Sequence, residues 1–535
     1  MFNFLKVILI VVSPLWAHAQ WDIIDQKVIG GNRDASFGKY LKSNEGGYYY
    51  YFNSAVQTSG NITVESHGSS FFVFRKYSNS DELVWEKSFG GSNMDNIIDA
   101  KEVEDGLVLF IQSTSPIGGM KEVQEYGDNH GWVVKIDYEG NIIWQKSFGG
   151  SEANLCMGIV VDDDQNLYFG FRSSSPISGT RTAELKGFFD YWVVKTDELG
   201  NVIWDKSFGS EGFDGLLDID ILSDGTVVLL GRSNSDISMD KSEDSYSVFG
   251  RDIWVVAINK EGELLWDRTI GGEGDQSISW LLTLDNEIFV AANSSSDISG
   301  NREVPRKGVN DIWLIKLDNE GKILLQKSYG GNEQEGIGGI ISLDEDHLLL
   351  MANSNSNQSI DKSENSRGSF DFWPIIIDKN GNLILERTFG GDKDDFITSG
   401  MKLNDKIYLS GNTRSGISGD KTLPLFPKDI DDDFNRDVWI VQLDASTLDI
   451  VEQEKNVFTV YPNPVSDIVN IDFLENQNVS HIQVYSSDGK LVLTQITSEN
   501  GQKAYKLDMS SFPKGLYSLL IHSEKGVSSQ KIVKW

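Results

Sequence analysis

The stretch WVVKIDYEGNIIWQKSFGG, from Trp132 to Gly150, returns in modified form along most of the chain. Its opening element, a tryptophan followed by apolar residues, recurs about every 60 residues, which is the signature of a repeat architecture. The copies of this element start at Val73 (a degenerate copy), Trp132, Trp192, Trp254, Trp313, Trp373 and Trp439. The closing element ends at Gly31, Gly91, Gly150, Ser210, Gly272, Gly331 and Gly391.

Each unit contains four short apolar runs separated by turn residues. In one unit these are GIVVD, LYFGF, YWVVKTD and VIWDKSF, with a long polar loop, RSSSPISG and onward, between the second and the third. Short runs rich in Val, Ile, Trp, Tyr and Phe and bounded by Gly, Asn and Asp are typical of β-strands. The turn ELGN suits a tight hairpin because glycine tolerates a positive φ.

Seven four-stranded units of this size predict an all-β fold, a seven-bladed β-propeller over residues 20–446. The recurring tryptophans are then expected to pack between blades. The chain starts on a fourth-strand element, Ile23 to Gly31, and the last unit ends on a third strand, Val438 to Leu443. We therefore expect the N-terminal strand to complete the last blade and remove its open edge, with Leu448 to Val451 as the alternative closing strand.

Two units depart from the pattern. Pro374 interrupts the third strand of the sixth unit and removes a hydrogen-bond donor from the ladder. Leu325 and Leu385 replace the second tryptophan in units five and six. These changes predict less regular blades.

The composition limits the partners. The 535 residues carry a formal net charge of -33, which disfavours nucleic acid and anionic membranes, since both attract cationic proteins. The same charge is compatible with cations or with neutral partners such as glycans. Residues 1–19, with Lys6, an apolar run and Ala17-His18-Ala19, predict a secretory signal peptide and export through the Sec pathway into the periplasm. No later run has the length of a membrane span.

A different pattern begins after a predicted linker, 447–456. Short alternating strands with Pro-Asn-Pro and Asp-Gly turns over residues 457–535 predict a small Ig-like β-sandwich. Several motifs follow in a characteristic order: Tyr461-Pro462-Asn463-Pro464, Asp488-Gly489-Lys490, Gly515-Leu516-Tyr517 and Lys531-Ile532-Val533-Lys534.

This C-terminal segment resembles the type A sorting domain of the type IX secretion system over essentially its whole length. The resemblance implies that Tyr461, Pro462, Asn463, Pro464, Gly489, Gly515, Tyr517, Lys531 and Val533 belong to the sorting signal. It also implies that the secretion machinery carries the folded chain across the outer membrane and removes the domain. The product is then expected in the extracellular space or attached to the cell surface.

The repeat phrase IDYEGNIIW resembles the blade repeat of quinoprotein-type propellers, and more closely the propeller repeats of secreted proteins with type IX sorting domains. Neither resemblance implies an activity. The histidines, carboxylates and nucleophiles show no metalloprotease, serine-hydrolase or phosphate-loop motif, so no catalytic residue is predicted.

One repeated carboxylate position is a candidate ligand site. Four residues after the closing element lie Ala35, Asp95, Asn154, Asp214, Gln276, Glu335 and Asp395. The carboxylates Asp95, Asp214, Glu335 and Asp395 predict an acidic ring at the channel mouth, suited to a cation or to sugar hydroxyls. The alternative is a polar cap for loop amides. Asp190, Asp252, Asp311, Asp371 and Asp437 also recur, each two residues before a tryptophan, which indicates turn architecture.

The last unit carries an extra acidic loop, KDIDDDFNRD. Asp429, Asp431, Asp433, Asn435 and Asp437 alternate as calcium ligands do, although Phe434 and Ile440 stand where an EF-hand has glycine and glutamate. Calcium is therefore the one cofactor that the sequence suggests, with a solvated acidic loop as the alternative.

Together these patterns predict an exported binding or adhesion module, with a glycan or a surface protein as partner. The alternative is a secreted propeller enzyme, acting on polysaccharide or as a quinoprotein-like oxidoreductase.

Overall fold

The computed structural model describes residues 21–55, 58–247, 250–429, 436–445, 458–473, 479–486, 490–496, 504–523 and 526–535. This part of the chain divides into two compact units, one spanning Ile23–Leu443 and the other containing the strands from Phe458 onward. The predicted signal peptide (1–19), linker (447–456) and alternative closing strand (Leu448 to Val451) lie outside the described residues.

Within the described ranges, the first unit forms seven four-stranded antiparallel sheets. After the N-terminal strand β1 (Ile23–Ile29), blades 1 to 3 are β2 (Ala35–Lys42), β3 (Tyr48–Ser54), β4 (Phe71–Tyr77), β5 (Leu83–Phe89); β6 (Asp95–Val103), β7 (Gly106–Ser113), β8 (His130–Ile136), β9 (Ile142–Phe148); and β10 (Asn154–Val161), β11 (Leu167–Ser173), β12 (Asp190–Thr196), β13 (Val202–Phe208). Blades 4 and 5 are β14 (Asp214–Ile221), β15 (Val227–Ser233), β16 (Asp252–Ile258), β17 (Leu264–Ile270); and β18 (Gln276–Leu284), β19 (Glu287–Ser294), β20 (Asp311–Leu317), β21 (Ile323–Tyr329). Blades 6 and 7 are β22 (Glu335–Ser342), β23 (His347–Ser354), β24 (Asp371–Asp378), β25 (Leu383–Glu386); and β26 (Asp395–Leu403), β27 (Lys406–Thr413), β28 (Asp437–Asp444), joined by β1. The predicted seven-bladed propeller is confirmed.

The N-terminal strand closes the ring as expected. β1 pairs antiparallel with β28, with Val28 opposite Trp439. Blade 7 also meets blade 1 directly, because the backbone N–H of Tyr40 donates to Ser399 Oγ at 3.2 Å. The last blade therefore presents no unpaired third strand to solvent, which removes a site for edge-to-edge association.

The hydrophobic core is divided among the interfaces between blades. Trp192 of blade 3 packs with Phe110 and Val133 of blade 2, and Trp254 of blade 4 packs with Val193 of blade 3. The six repeat tryptophans are fully buried: Trp132, Trp192, Trp254, Trp313, Trp373 and Trp439. Because both faces of each sheet are covered, the middle strands are continuously apolar.

The irregularity expected in blade 6 is present. Its outer strand has four residues where the other outer strands have seven, and its last ladder pair is Ile375 with Glu386. Pro374, the next residue, lacks the N–H that would extend the ladder. Blade 5, in contrast, keeps a seven-residue outer strand despite Leu325.

The second unit contains two sheets. Their strands are β29 (Phe458–Tyr461), β30 (Ile468–Phe473), β31 (Val479–Ser486), β32 (Leu491–Ile496), β33 (Ala504–Asp508), β34 (Gly515–Ser523) and β35 (Gly526–Lys534). The orders β29-β30-β33 and β32-β31-β34-β35 share one core, in which Ile471 of the first sheet and Leu519 of the second are both buried. This is a β-sandwich; its kinship to the immunoglobulin fold stays a prediction.

Candidate functional site

The face of the propeller that carries the long loops holds every site that the repeat predicted. On this face the second strand of each blade ends, the third strand begins, and the closing glycines lead into the next blade. We call it the loop face. The repeated positions on it differ in exposure and in hydrogen bonding.

The first set is the predicted acidic ring. Asp95, Asp214 and Asp395 are fully buried, and Glu335 is 3% exposed. They are therefore not exposed at the surface of the propeller. Burial removes the carboxylates from water, and it raises the pKa of both Glu335 and Asp395. Their role in ligand binding stays a prediction.

These carboxylates instead bond to their own loop face. Asp395 Oδ2 accepts from the Gly391 backbone N–H and from Ser415 Oγ, both at 2.8 Å. Glu335 Oε1 accepts from Ser356 Oγ at 2.6 Å. Asp95 and Asp214 make the same kind of contact, Asp95 with Gly91 N–H and Ser115 Oγ and Asp214 with Ser210. The arrangement matches the alternative that the sequence left open, a polar cap for loop amides.

The aspartates that precede the tryptophans are also buried, as turn architecture requires. Asp371 Oδ2 accepts from the Arg367 backbone N–H at 2.6 Å, and burial raises the Asp371 pKa to about 6. A Cβ at Gly390 would lie 1.8 Å from Asp371 Oδ1. The same conflict arises at Gly30, Gly209 and Gly271 with Asp437, Asp190 and Asp252. The first glycine of the closing element therefore leaves the space that the aspartate fills, which explains why both residues recur.

Buried cations balance part of this negative charge. Arg302 Nη2 lies 3.1 Å from Asp311 Oδ2, and neither side chain is exposed. Arg181 approaches Asp190 within 3.5 Å. In blade 2 the aspartate is replaced by His130, whose pKa burial lowers to about 3, so this imidazole is neutral beside Lys121.

The predicted calcium loop is described only at its ends. Asp429 Oδ2 accepts from Asn32 Nδ2 at 2.6 Å, and Asp437 Oδ1 is paired with Lys428 Nζ at 2.5 Å. Asp431, Asp433 and Asn435 lie outside the described residues. In the described part of the chain, no three His, Cys, Asp or Glu side chains are grouped to hold a metal ion. Calcium binding by the whole loop stays a prediction.

The second set was not predicted. Five blades place an isoleucine at the same position of the long loop, one residue before its turn, and we call these residues the isoleucine crown. They are Ile117, Ile177, Ile237, Ile298 and Ile417, and they are 58–67% exposed. Blade 6 has Gln358 at this position. The sequence shows this isoleucine in the recurring loop motifs SPISG, SDIS and SGISG. The motifs alone do not predict its exposure, because an isoleucine in a loop can equally be buried in a core.

The third set lies at the end of each second strand. In five blades an amide side chain there accepts a backbone N–H of the next blade, as Asn353 does from Ile397 at 2.7 Å. The other four are Asn53, Gln112, Asn293 and Asn412. Blades 3 and 4 carry Arg172 and Arg232 instead. An alignment of the repeats on the serine that follows this position would show that arginine replaces the amide residue in these two blades.

In the C-terminal unit, the described sorting residues lie in the Tyr461–Pro464 segment, on β34 and on β35. Asn463 Oδ1 accepts from the Val533 N–H at 2.9 Å, which joins the Tyr461-Pro462-Asn463-Pro464 segment to β35. Gly515 opens β34 opposite Lys534, and Lys531 pairs with Ser518 in the same ladder. Tyr517 is buried, and its hydroxyl donates to Pro513 O at 2.7 Å. Gly489 lies outside the described residues.

Comparison with known proteins identifies the C-terminal unit. Residues 459–535 match the family model of the secretion system C-terminal sorting domain. The chain therefore carries a type IX sorting domain, which directs export to the cell surface or the extracellular space. Across the described ranges, the structure has no helix with the length and apolar character needed to cross a bilayer.

The remaining relatives are distant. The regulatory protein FlaEY of Caulobacter vibrioides is 22% identical over 269 residues, which is 45% of this chain and 28% of that protein. Similar solved structures include a Dyadobacter fermentans protein of unknown function (10% identity, TM-score 0.38, covering 79% of this chain and 99% of that one). The Neurospora crassa Pan2 WD40 domain is another (8% identity, TM-score 0.41, covering 78% and 94%). Likenesses this weak carry no functional argument, and the propeller architecture follows from the strand order itself.

Proposed function

We propose that the exported chain is a binding and adhesion module that docks on a protein at the cell exterior through the isoleucine crown. The observation that carries this proposal is the recurrence of an exposed isoleucine at one loop position in five blades. A single exposed apolar side chain needs no explanation, whereas apolar groups repeated on one face are typical of interaction surfaces.

Strand propensity does not account for the exposure of these isoleucines. Exposed apolar residues also line the outer strands, for example Ile143 and Ile203, but there the β-branched shape favours the strand itself. The crown residues lie in turns, where the strand propensity of a β-branched residue does not stabilise the fold. Their exposure therefore supports selection for contact with a partner.

The chemistry of the crown favours protein over carbohydrate. Isoleucine offers neither a hydrogen-bonding group for sugar hydroxyls nor a flat aromatic face for a sugar ring. The centre of a protein interface, in contrast, is apolar and excludes water. The polar serines that flank the crown residues would form the rim of such an interface.

The test compares two variants that each remove five exposed apolar side chains. The crown variant changes Ile117, Ile177, Ile237, Ile298 and Ile417 to Ser. The control variant changes Leu83, Ile143, Ile203, Leu265 and Leu324, on the outer strands, to Ser. Each exported protein is presented on beads to a panel of purified extracellular proteins, to a glycan array and to intact producing cells, with and without protease treatment.

We expect saturable, protease-sensitive binding that the crown variant loses at least tenfold and the control variant retains. Binding to glycans alone, equal losses in both variants, or no binding to any surface would overturn the proposal.

A further inference from the structure

Two adjacent blades break the sevenfold pattern at the loop face. Where five blades use an Asn or Gln oxygen to accept an N–H from the next blade, blades 3 and 4 have Arg172 and Arg232. A guanidinium has no acceptor, so these two residues cannot make the contact that their position makes elsewhere. Both are partly exposed.

A third arginine joins them from the start of the third strand of blade 4. The Arg251 guanidinium lies 4.2 Å from the centre of the Phe213 ring, and that of Arg172 lies 5.9 Å from the Phe189 ring. The two rings are 5.5 Å apart. Arg172, Arg251 and the two phenyl rings therefore lie together on the loop face.

Glycine at position 215 makes room for this group. A Cβ there would lie 2.7 Å from the Phe213 ring and 2.8 Å from Arg172 Cδ. Gly215 is also the ladder partner of Arg232. One small residue thus lets the side chains of two blades converge.

The charges of this group are not balanced within the described chain. Other arginines of this protein form ion pairs with carboxylates, as Arg75 does with Glu86 at 2.7 Å. Among the described residues, no carboxylate lies within ion-pair distance of Arg172, Arg232 or Arg251, and the buried Nε atoms of Arg172 and Arg232 have no hydrogen-bond partner. Burial and the neighbouring arginines lower the pKa of Arg172 and Arg232, which means that the group repels itself.

The carboxylate of Asp275 does not pair with these guanidinium groups. Asp275 raises the Arg232 pKa from a distance, but its Oδ1 accepts from the backbone N–H of Arg251 at 3.0 Å and not from a guanidinium. Three neighbouring arginines without an ion pair among the described residues are an unusual concentration of positive charge in a chain of net charge -33.

We propose that Arg172, Arg232 and Arg251 form a binding site for the carboxylate of an acidic sugar, such as a uronic acid unit of a polysaccharide. Guanidinium forks match a carboxylate with two parallel hydrogen bonds, and the phenyl faces suit the apolar face of a sugar ring. The strong negative charge of the whole chain disfavours long polyanions and favours a ligand with sparse charge. This site is independent of the isoleucine crown.

The test is a calorimetric titration of the exported protein with neutral oligosaccharides that carry a single glucuronate or galacturonate unit, with the matching uncharged oligosaccharides and with inorganic sulfate. We expect saturable binding of an acidic oligosaccharide at least tenfold tighter than that of its neutral counterpart. Arg172→Gln and Arg232→Gln should each weaken it at least tenfold, and Arg251→Lys, which keeps the charge but loses the fork, should weaken it less than Arg251→Gln. Arg414→Gln is the matched control, since Arg414 is on the same face but paired with Asp394 at 3.1 Å.

Thermal unfolding separates binding from a structural role. Because Arg232→Gln removes a repulsive charge, its Tm should stay level or rise while binding is lost. A fall of several degrees in Tm, equal affinity for neutral and acidic sugars, or affinity for sulfate as high as for the uronate would each overturn the proposal. The crown variant should bind the acidic sugar with the affinity of the parent protein. The experiment can therefore contradict this proposal without contradicting the adhesion proposal, and the reverse.

Discussion

The buried carboxylates and the isoleucine crown occupy the same face of the same repeat, yet they are opposites. Asp395 is fully buried and accepts two hydrogen bonds from its own loop face, whereas Ile417, in the same blade, is 67% exposed. Both recur from blade to blade. Recurrence therefore marks positions that matter, and the surroundings of each side chain decide between a role in the fold and a role in contact with a partner.

The largest effect should come from breaking a buried ion pair. Arg302 and Asp311 are both fully buried, and Arg302 Nη2 contacts both carboxylate oxygens, at 3.1 and 3.2 Å. Arg302→Met leaves an uncompensated buried charge, which costs about 3–5 kcal/mol of unfolding free energy. The measurement is guanidinium unfolding followed by tryptophan fluorescence. Arg414→Met, which breaks a partly exposed pair, should cost less than about 1 kcal/mol, and similar losses in the two variants would contradict this account.

A second prediction concerns how the unfolding free energy depends on pH through one of the buried carboxylates. Burial raises the Asp371 pKa to about 6, so between about pH 4, near the pKa of an unfolded Asp, and pH 6 the folded protein keeps a proton that the unfolded chain releases. The contribution of this group is complete below pH 4 and is lost as the pH rises through 6. Asp371→Asn should remove that slope, a difference of up to about 3 kcal/mol near pH 7.

The control for the pH series is Asp378→Asn, at the partly exposed end of the same strand. This variant should keep the fall in stability with rising pH that Asp371→Asn loses. An unchanged slope in Asp371→Asn, or a lost slope in both variants, would show that Asp371 does not carry the dependence.

A smaller effect should follow the loss of one donor to a buried carboxylate. Ser415 Oγ donates to Asp395 at 2.8 Å, and Ser415→Ala should lower the unfolding free energy by about 1–3 kcal/mol because a charged acceptor loses a partner. Ser418, in the same loop, bonds to the exposed Asp392. Ser418→Ala should cost less in the same denaturant assay; the reverse order would mean that the buried contact is not the stronger one.

Much of the fold could be predicted because local patterns determine it. The regular spacing of the tryptophans predicted the seven blades. The fourth-strand motif at residues 23–31 predicted the pairing of β1 with β28. The proline at position 374 correctly indicated a weakened outer strand in blade 6. Leu325, which stands where other repeats have tryptophan, does not shorten the outer strand of blade 5, since a leucine can fill the same partly buried position of a strand.

The site was harder to predict because it depends on tertiary contacts. Asp95 and Asp395 each accept a hydrogen bond from a serine 20 residues later, Ser115 and Ser415, in a loop that folds back over the carboxylate. No local pattern distinguishes such a carboxylate from one at an open channel. The convergence of Arg172 and Arg251 likewise depends on which loops meet above Gly215.

The most direct test of the central claim is a paired denaturant unfolding of the crown variant and of Asp395→Ala. The account predicts that removing five exposed isoleucines changes the unfolding free energy by less than about 1 kcal/mol, whereas removing one buried carboxylate, which leaves a backbone N–H and a hydroxyl without a partner, costs about 2 kcal/mol or more. A crown variant that is as unstable as Asp395→Ala would contradict it, because the isoleucines would then hold the fold together and not face a partner.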